Sequence, residues 1–248
     1  RVDSRGAGRS PGYLEHFSPR ETQDFAACIE WAGGQSWANG KVGLSGISYY
    51  AVNQWQVAAL RPKYLAAICP WEGFNDFYRE LSYHGGIYSS FQRHWYDKQI
   101  LPIQHGYGER GFRSRANGEW AAGPETLPDE ELSANRFDLH GDFISHSLDD
   151  EFYSVRTPDL PKIEVPVLSC GNWGGAPLHP RGNFNGFIKS SSKDKWLEVH
   201  GLEHWSLYYT DYGNDLQMRF FDCFLKGDDS GWKDQPRVSL NVRHPGEH

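Results

Sequence analysis

The stretch Lys41–Leu60 constrains this chain more than any other. Lys41-Val42-Gly43-Leu44-Ser45 fits a short buried strand, and Ala51, Val52, Trp55, Ala58 and Ala59 recur at helical spacing before Pro62. Only Gly46-Ile47-Ser48 lies between. A chain that changes from strand to helix in three residues must turn sharply. A serine at that turn stands clear of the backbone with the first helix amides behind it. This is the geometry of a nucleophile whose following amide, here that of Tyr49, is placed to donate to a developing oxyanion. The motif departs from Gly-x-Ser-x-Gly, since the fifth position counted from Gly46 is Tyr50. Counting from Gly43 makes Ser45 the serine and Ile47 the fifth residue. Ser48 is preferred because it lies at the switch, whereas Ser45 is still in the strand. The plain alternative is that Gly46 and Ser48 only make a tight turn.

The rest of the chain reads as alternating strands and helices. Ser18-Pro19-Arg20-Glu21 is a capping box with proline at the first helical position. It opens a helix carrying Phe25, Ala26, Cys28, Ile29 and Trp31 and closed by Gly33-Gly34. Arg1 to Gly6 reads as a strand tail entering a loop, and Leu65–Cys69 as a strand ending at Pro70-Trp71-Glu72. Ile163–Cys170 and Trp196–His200 are further strands, with a helix near Asn183–Lys189 and a last long one from Asp215 to Leu225. Such alternation implies an α/β fold with a mainly parallel sheet covered by helices on both faces. The expected division is a core in two parts, residues 1–78 and 159–230, around a mainly helical cap insertion at 79–158 rich in Trp, Tyr, His and Gly. Residues 231–248, with an alternating run to Val242, lead towards a further β domain, and the chain is expected to be a fragment of a larger protein.

Composition narrows the function. A net charge of −7 argues against a nucleic-acid partner. No apolar run is long enough for a membrane helix. The cysteines Cys28, Cys69, Cys170 and Cys223 are far apart and fit no zinc spacing, so they are expected as free, buried thiols of a cytoplasmic protein. No spacing of His84, His94 and His105 suggests a metal, and no cofactor is expected.

The order of groups then matters. A serine turn comes first, and His204 follows the last sheet strand in the loop Gly201-Leu202-Glu203-His204. This is the chain order of α/β hydrolases, with an acid between the two. The segments Asp3-Ser4-Arg5-Gly6, Lys41-Val42-Gly43-x-x-Gly46-Ile47-Ser48-Tyr49, Gln54-Trp55-Gln56 and Leu216–Gly227 resemble the cocaine esterase and X-prolyl dipeptidyl-peptidase group of that fold. The resemblance covers nearly the whole chain and implies a catalytic domain truncated at its N-terminus. It implies Ser48 as nucleophile, the Tyr49 amide as one oxyanion donor, His204 as base, an inserted cap and a C-terminal jelly roll. It also implies hydrolysis of esters or amides without metal or cofactor. Two features depart from the group. Gly174 stands in Gly171-Asn172-Trp173-Gly174-Gly175 where the acid is usual, and an upstream tyrosine that supplies a second oxyanion donor is not in this sequence.

A replacement acid is therefore expected elsewhere. Glu72, at the end of the strand following the Ser48 helix, is the leading candidate. Asp76, Glu203, Asp211 and Asp215 are its rivals. Trp71, Trp173 and His179 are expected to line a substrate pocket, since open parallel sheets bind ligands at the carboxyl ends of their strands. His200, at a strand end, reads as a structural residue. The favoured function is a serine hydrolase forming an acyl-enzyme from a small ester, amide or peptide, possession of an X-prolyl dipeptidyl-peptidase activity being one form of it. The alternative is a catalytically impaired hydrolase-fold protein that binds a ligand or partner, favoured by the glycine at 174.

Overall fold

Two short apolar strands and two helices open the sheet: α1 (Pro19–Gly33), β1 (Val42–Ile47), α2 (Tyr49–Ala59) and β2 (Leu65–Trp71). In this computed structural model the described residues are 2–175, 178–229, 231–242 and 244. Arg1, Ala176, Pro177, Ser230, Arg243 and residues 245–248 lie outside them, so the expected lead over 231–248 is described only in part. The segment after β2 adds the hairpin β3 (Tyr83–His84) and β4 (Ile87–Tyr88). It also adds the short helices α3 (Phe91–Trp95), α4 (Asp129–Ala134), α5 (Leu139–Ser145) and α6 (Glu151–Ser154). The alternation resumes with β5 (Val167–Asn172), α7 (Pro180–Lys189), β6 (Lys195–His200), α8 (Asp211–Phe221) and β7 (Val238–Leu240).

The five long-range strands lie in the order β1-β2-β5-β6-β7, all parallel. A parallel sheet must be covered on both faces, and side chains alternating along β2 serve both. Leu65 and Ile68 pack with Ile29 of α1 and Trp55 and Ala58 of α2. Ala67, Cys69 and Trp71 point the other way, against Leu216 and Phe220 of α8 and Trp232. A third cluster joins the 79–158 segment to the chain's beginning: Phe77, Leu81, Tyr96, Phe137 and Phe143 pack with Leu14, Phe17, Val52 and Phe74. The helices of this segment are at most seven residues long and are interrupted by π-helical turns at Phe77–Ser82 and Tyr96–Ile100. No helix among the described residues is long and apolar enough to cross a membrane.

Several local expectations are refined. Residues 2–6 are loop rather than strand. The Ile163–Cys170 strand begins only at Val167, because Leu160–Lys162 makes a 3₁₀ turn first. Trp31 of α1 is exposed, and Cys28 is half-buried whereas the other three free thiols are buried. The alternating tail does not stand apart: Val238, Ser239 and Leu240 pair with Leu197, Glu198 and Val199 as the sheet's edge.

Close approach fixes how α7 meets the sheet. A Cβ on Gly182 would lie 2.4 Å from the Gly73 carbonyl oxygen and 2.4 Å from Phe74 Cα, both backbone atoms that cannot step aside. Gly182→Ala is therefore expected to force α7 outward at a cost of about 1–3 kcal/mol. Thermal unfolding should show a fall of roughly 2–4 °C per kcal/mol. An unchanged Tm would mean that the helix shifts freely.

Candidate active site

Four strand ends converge where β1, β2, β5 and β6 stop. Ile47 pairs with Trp71, Trp71 with Cys170, and Asn172 with His200, so the next residues of β1 and β2 emerge side by side. These are Ser48 and Glu72. Both have left-handed backbones, φ 60° and 54°, and neither is glycine. Each such residue costs on the order of 1–3 kcal/mol and persists only where its surroundings hold it. Here the sheet does so: the Ser48 N–H donates to Trp71 O (3.0 Å) and the Glu72 N–H to Cys170 O (2.8 Å). The strain throws both side chains off the strand ends. Leu202, two residues before His204, is similarly strained at φ 72°.

The elbow is held from behind. Tyr49 stacks on Phe17 at 4.2 Å and its hydroxyl donates to Glu21 at 2.7 Å, tying the start of α2 to the first turn of α1. The same Glu21 accepts from the Phe17 N–H at 2.7 Å, and Ser18 Oγ caps α1 by accepting from the Glu21 N–H. As the first amide of α2, that of Tyr49 has no carbonyl partner within the helix. Gly46 is required because a Cβ there would meet Tyr50 Cβ at 2.4 Å. Tyr50 itself is exposed, which is why the fifth position of the motif tolerates a large side chain. Ser45 remains in the strand, its hydroxyl donating to Gln217 of α8 at 2.6 Å.

Glu72 faces His204. Its Oε2 lies 2.5 Å from His204 Nδ1, while Oε1 accepts from Asn172 Nδ2 at 3.1 Å and lies 3.3 Å from His200 Nε2. Asn172 also reaches the carbonyls of Leu202 and Glu203, so one side chain joins the carboxylate to the loop that carries His204. The glycines of the neighbouring loop make room for this. A Cβ on Gly175 would stand 3.5 Å from Glu72 Oε2, and one on Gly174 only 3.2 Å from Leu202 O. At position 174 the nearest atoms are Leu202 O and Asn172 Oδ1, and Glu72 Oε2 comes up beside position 175. The rival acids are engaged or remote: Asp76 caps the following turn through the Arg79 N–H, Asp215 pairs with Arg219, and Glu203 and Asp211 are exposed.

Burial acts to raise the Glu72 carboxyl. Hydrogen bonds from His200, His204 and Asn172, with the His204 charge, outweigh it and hold the group below its ordinary range. Burial likewise acts to lower His200. Glu198, 2.8 Å from Nδ1, and Glu72 more than offset this and raise the imidazole to about 9. His179 has no such help. Burial, then the nearby His204, lower it to about 3, which keeps it neutral.

His179 is the unexpected neighbour of Ser48. Its Nε2 lies 3.1 Å from Ser48 Oγ, and its ring is parallel to those of His204 and Phe74, with centroids 5.2 and 5.9 Å away. Among the described residues its buried Nδ1 has no hydrogen-bond partner. A buried orphan N–H is rarer than an unused acceptor, which favours the tautomer with the proton on Nε2, donated to Ser48. The sequence placed His179 in the pocket wall; the fold puts it against the serine. Trp71 does not line an opening. It is 1% exposed, with its ring 5.4 Å from that of His200 and its Nε1 donating to Cys69 Sγ, because its side chain points into the sheet face under α8. Trp173 stays near the surface, its Nε1 donating to Asn241 O. The roles of Asn172, Glu198 and His200 escaped the sequence reading. One signal was present: Glu198 and His200, two residues apart, put two ionisable groups on one face of the otherwise apolar strand Trp196–His200.

Comparison with known proteins gives a consistent picture. A family model described as X-Pro dipeptidyl-peptidase (S15 family) matches residues 1–206. A cocaine esterase of Rhodococcus sp. (strain MB1 Bresler) is 35% identical over 85 residues, 34% of this chain and 14% of that protein. The crystal structure of a CocE/NonD family hydrolase from Staphylococcus aureus superposes with a TM-score of 0.81 at 39% identity, covering 97% of this chain and 38% of that one. An α-amino acid ester hydrolase, at 15% identity and a TM-score of 0.56, shares the fold. The chain thus spans well under half the length of these relatives.

The raised His200 makes a test of stability. Its ordinary value is 6.5 and its folded value about 9, so its contribution is complete below about 6.5 and is lost as pH rises through about 9. The Tm is expected to decline between pH 7 and 10, and less steeply in His200→Gln. Parallel profiles for the two proteins would show that His200 is not protonated in the fold.

Proposed function

Because the chain belongs to the X-Pro dipeptidyl-peptidase (S15) family, we propose that it is a serine hydrolase that cleaves a small ester, amide or peptide through an acyl-enzyme. Ser48 is its nucleophile, His204 its base and Glu72 its acid. The observation that carries this reading is the Glu72–His204 contact at 2.5 Å, beside a serine on a strained strand-to-helix turn. A base needs a free nitrogen towards the nucleophile and an orienting group on the other. With Nδ1–H donated to Glu72, His204 presents Nε2 as an acceptor. His179 lacks an orienting carboxylate, and burial strips it of basicity.

The reaction then follows. For reaction Ser48 Oγ has to leave His179 and turn to His204 Nε2, which accepts its proton as Oγ attacks the carbonyl carbon. Catalytic hydrogen bonds are commonly loose in the unliganded enzyme and tighten with substrate. The Tyr49 amide donates to the oxyanion, and the ionised Glu72 stabilises the imidazolium. The imidazolium returns the proton to the leaving group. His204 next activates a water that releases the acyl group and frees Ser48. Free thiols support a reducing, cytoplasmic setting.

Ser48→Ala is expected to abolish labelling by a fluorophosphonate and to lower turnover of an activated ester by about 10⁴ to 10⁶. His204→Ala should fall nearly as far, since members of one catalytic unit are not additive. If His179→Ala is inactive while His204→Ala still turns over, the base is His179. If labelling persists in Ser48→Ala, the nucleophile lies elsewhere.

A further inference from the structure

The proposed acid is itself the middle of a longer buried chain. Glu72 meets a histidine on each oxygen: Oε2 faces His204, and Oε1 faces His200 beside the Asn172 amide. His200 in turn places Nδ1 2.8 Å from Glu198 Oε2. Both ring nitrogens of His200 therefore face carboxylates, which only accept. A neutral imidazole has one N–H and would set its lone pair against one of them; the doubly protonated ring donates to both. Glu72, Glu198 and His200 are all buried.

A buried ion triad is poor value as simple glue, since apolar side chains of similar volume usually stabilise as well. Its placement suggests another use. A glutamate reaching from a strand end has one more side-chain torsion to fix than an aspartate would. Asn172 and His200 together anchor Oε1, and His200 is the one of the two that brings a charge. Glu72 is also a carboxylate in a dry site with a second carboxylate near by, conditions that favour taking up a proton. A cation between the two removes that tendency.

We propose that His200 and Glu198 form a positioning pair that fixes Glu72 and keeps it ionised, so that activity depends on the chain Glu198–His200–Glu72–His204–Ser48. This rests on the reading of Glu72 as the acid. The other titratable groups facing the chain are Cys170 of β5 and Tyr212 of α8, both pushed upward by burial and thus neutral, and His179, held neutral beside His204. Among the described residues none of these supplies a replacement cation. The raised proton affinity of His200 agrees with the geometry.

The test is the pH profile of kcat/KM for p-nitrophenyl acetate, measured on the whole chain with thermal unfolding of each variant as a control. His200→Gln leaves two carboxylates without their cation, which makes protonation near His204 easier. Its acid limb is expected to move up by about one pH unit or more, with kcat reduced and KM little changed. Glu198→Gln keeps an acceptor for His200 but removes the distal negative charge, so its acid limb is expected to move down, by less. A purely structural pair would lower Tm in both variants and leave the limb in place, and that result would overturn the proposal, as would shifts of the same sign. Should His200→Gln not fold, Glu198→Gln decides alone: a downward shift supports the pair, and no shift or an upward one sinks it. Glu72→Gln separates the premises. If it turns over normally, the reading of Glu72 as the acid fails and this one with it. If it is inactive while the limb is unmoved in His200→Gln and Glu198→Gln, only the positioning role fails.

Discussion

A carboxylate removed from water at the end of a parallel sheet has to be kept charged, and much of this molecule is arranged around doing so at Glu72. Four groups approach it: Asn172 from β5, His200 from β6, His204 from the following loop, and the strained backbone that aims it. They come from the ends of three strands, β2, β5 and β6, so the site exists only when the strand registers are correct. Were β6 displaced by one residue against β5, the alternation of the strand would turn His200 and Glu198 to the opposite face. The same pairing that builds the sheet thus assembles the proposed acid.

The serine end depends on the same strands from another side. The Ser48 amide is held by Trp71 O, the carbonyl of the residue that precedes Glu72. The proposed nucleophile and acid are therefore two residues apart through one backbone hydrogen bond, and both are in high-energy conformations. Such strain is tolerable because β2 is paired on both sides and buried on both faces. A less constrained strand would relax it. The parallel pair His179 and His204 extends the arrangement, with Nε2 of one ring 3.1 Å from the serine oxygen and the other ring held against the carboxylate.

The proposed placement of the acid on β2 is matched by the neighbouring loop. In the loop after β5, glycines at 174 and 175 leave a space that Glu72 Oε2 and Leu202 O occupy. A glutamate arriving from the strand is longer and looser, which gives the Glu198–His200 pair something to do.

Much was legible from residues alone because it is local. The capping box of Ser18 and Glu21, the three-residue switch at Ser48, the stop at Pro62 and the β–α alternation depend on neighbours within a few positions, and from them came the fold class, the elbow and the family resemblance. The glycine at 174 and the position of Glu72 at a strand end directed attention to β2, since strand order in a parallel sheet limits which ends are adjacent. What only the tertiary structure decided concerns groups far apart in the chain. It brought His179 to Ser48, turned Trp71 into the core, bound the tail strand Val238–Leu240 to β6 and joined Glu198 and His200 to Glu72. Those outcomes hang on register, on which face a side chain takes and on a few ångströms of packing. No spacing along the chain encodes these, because they arise from elements meeting one another in space.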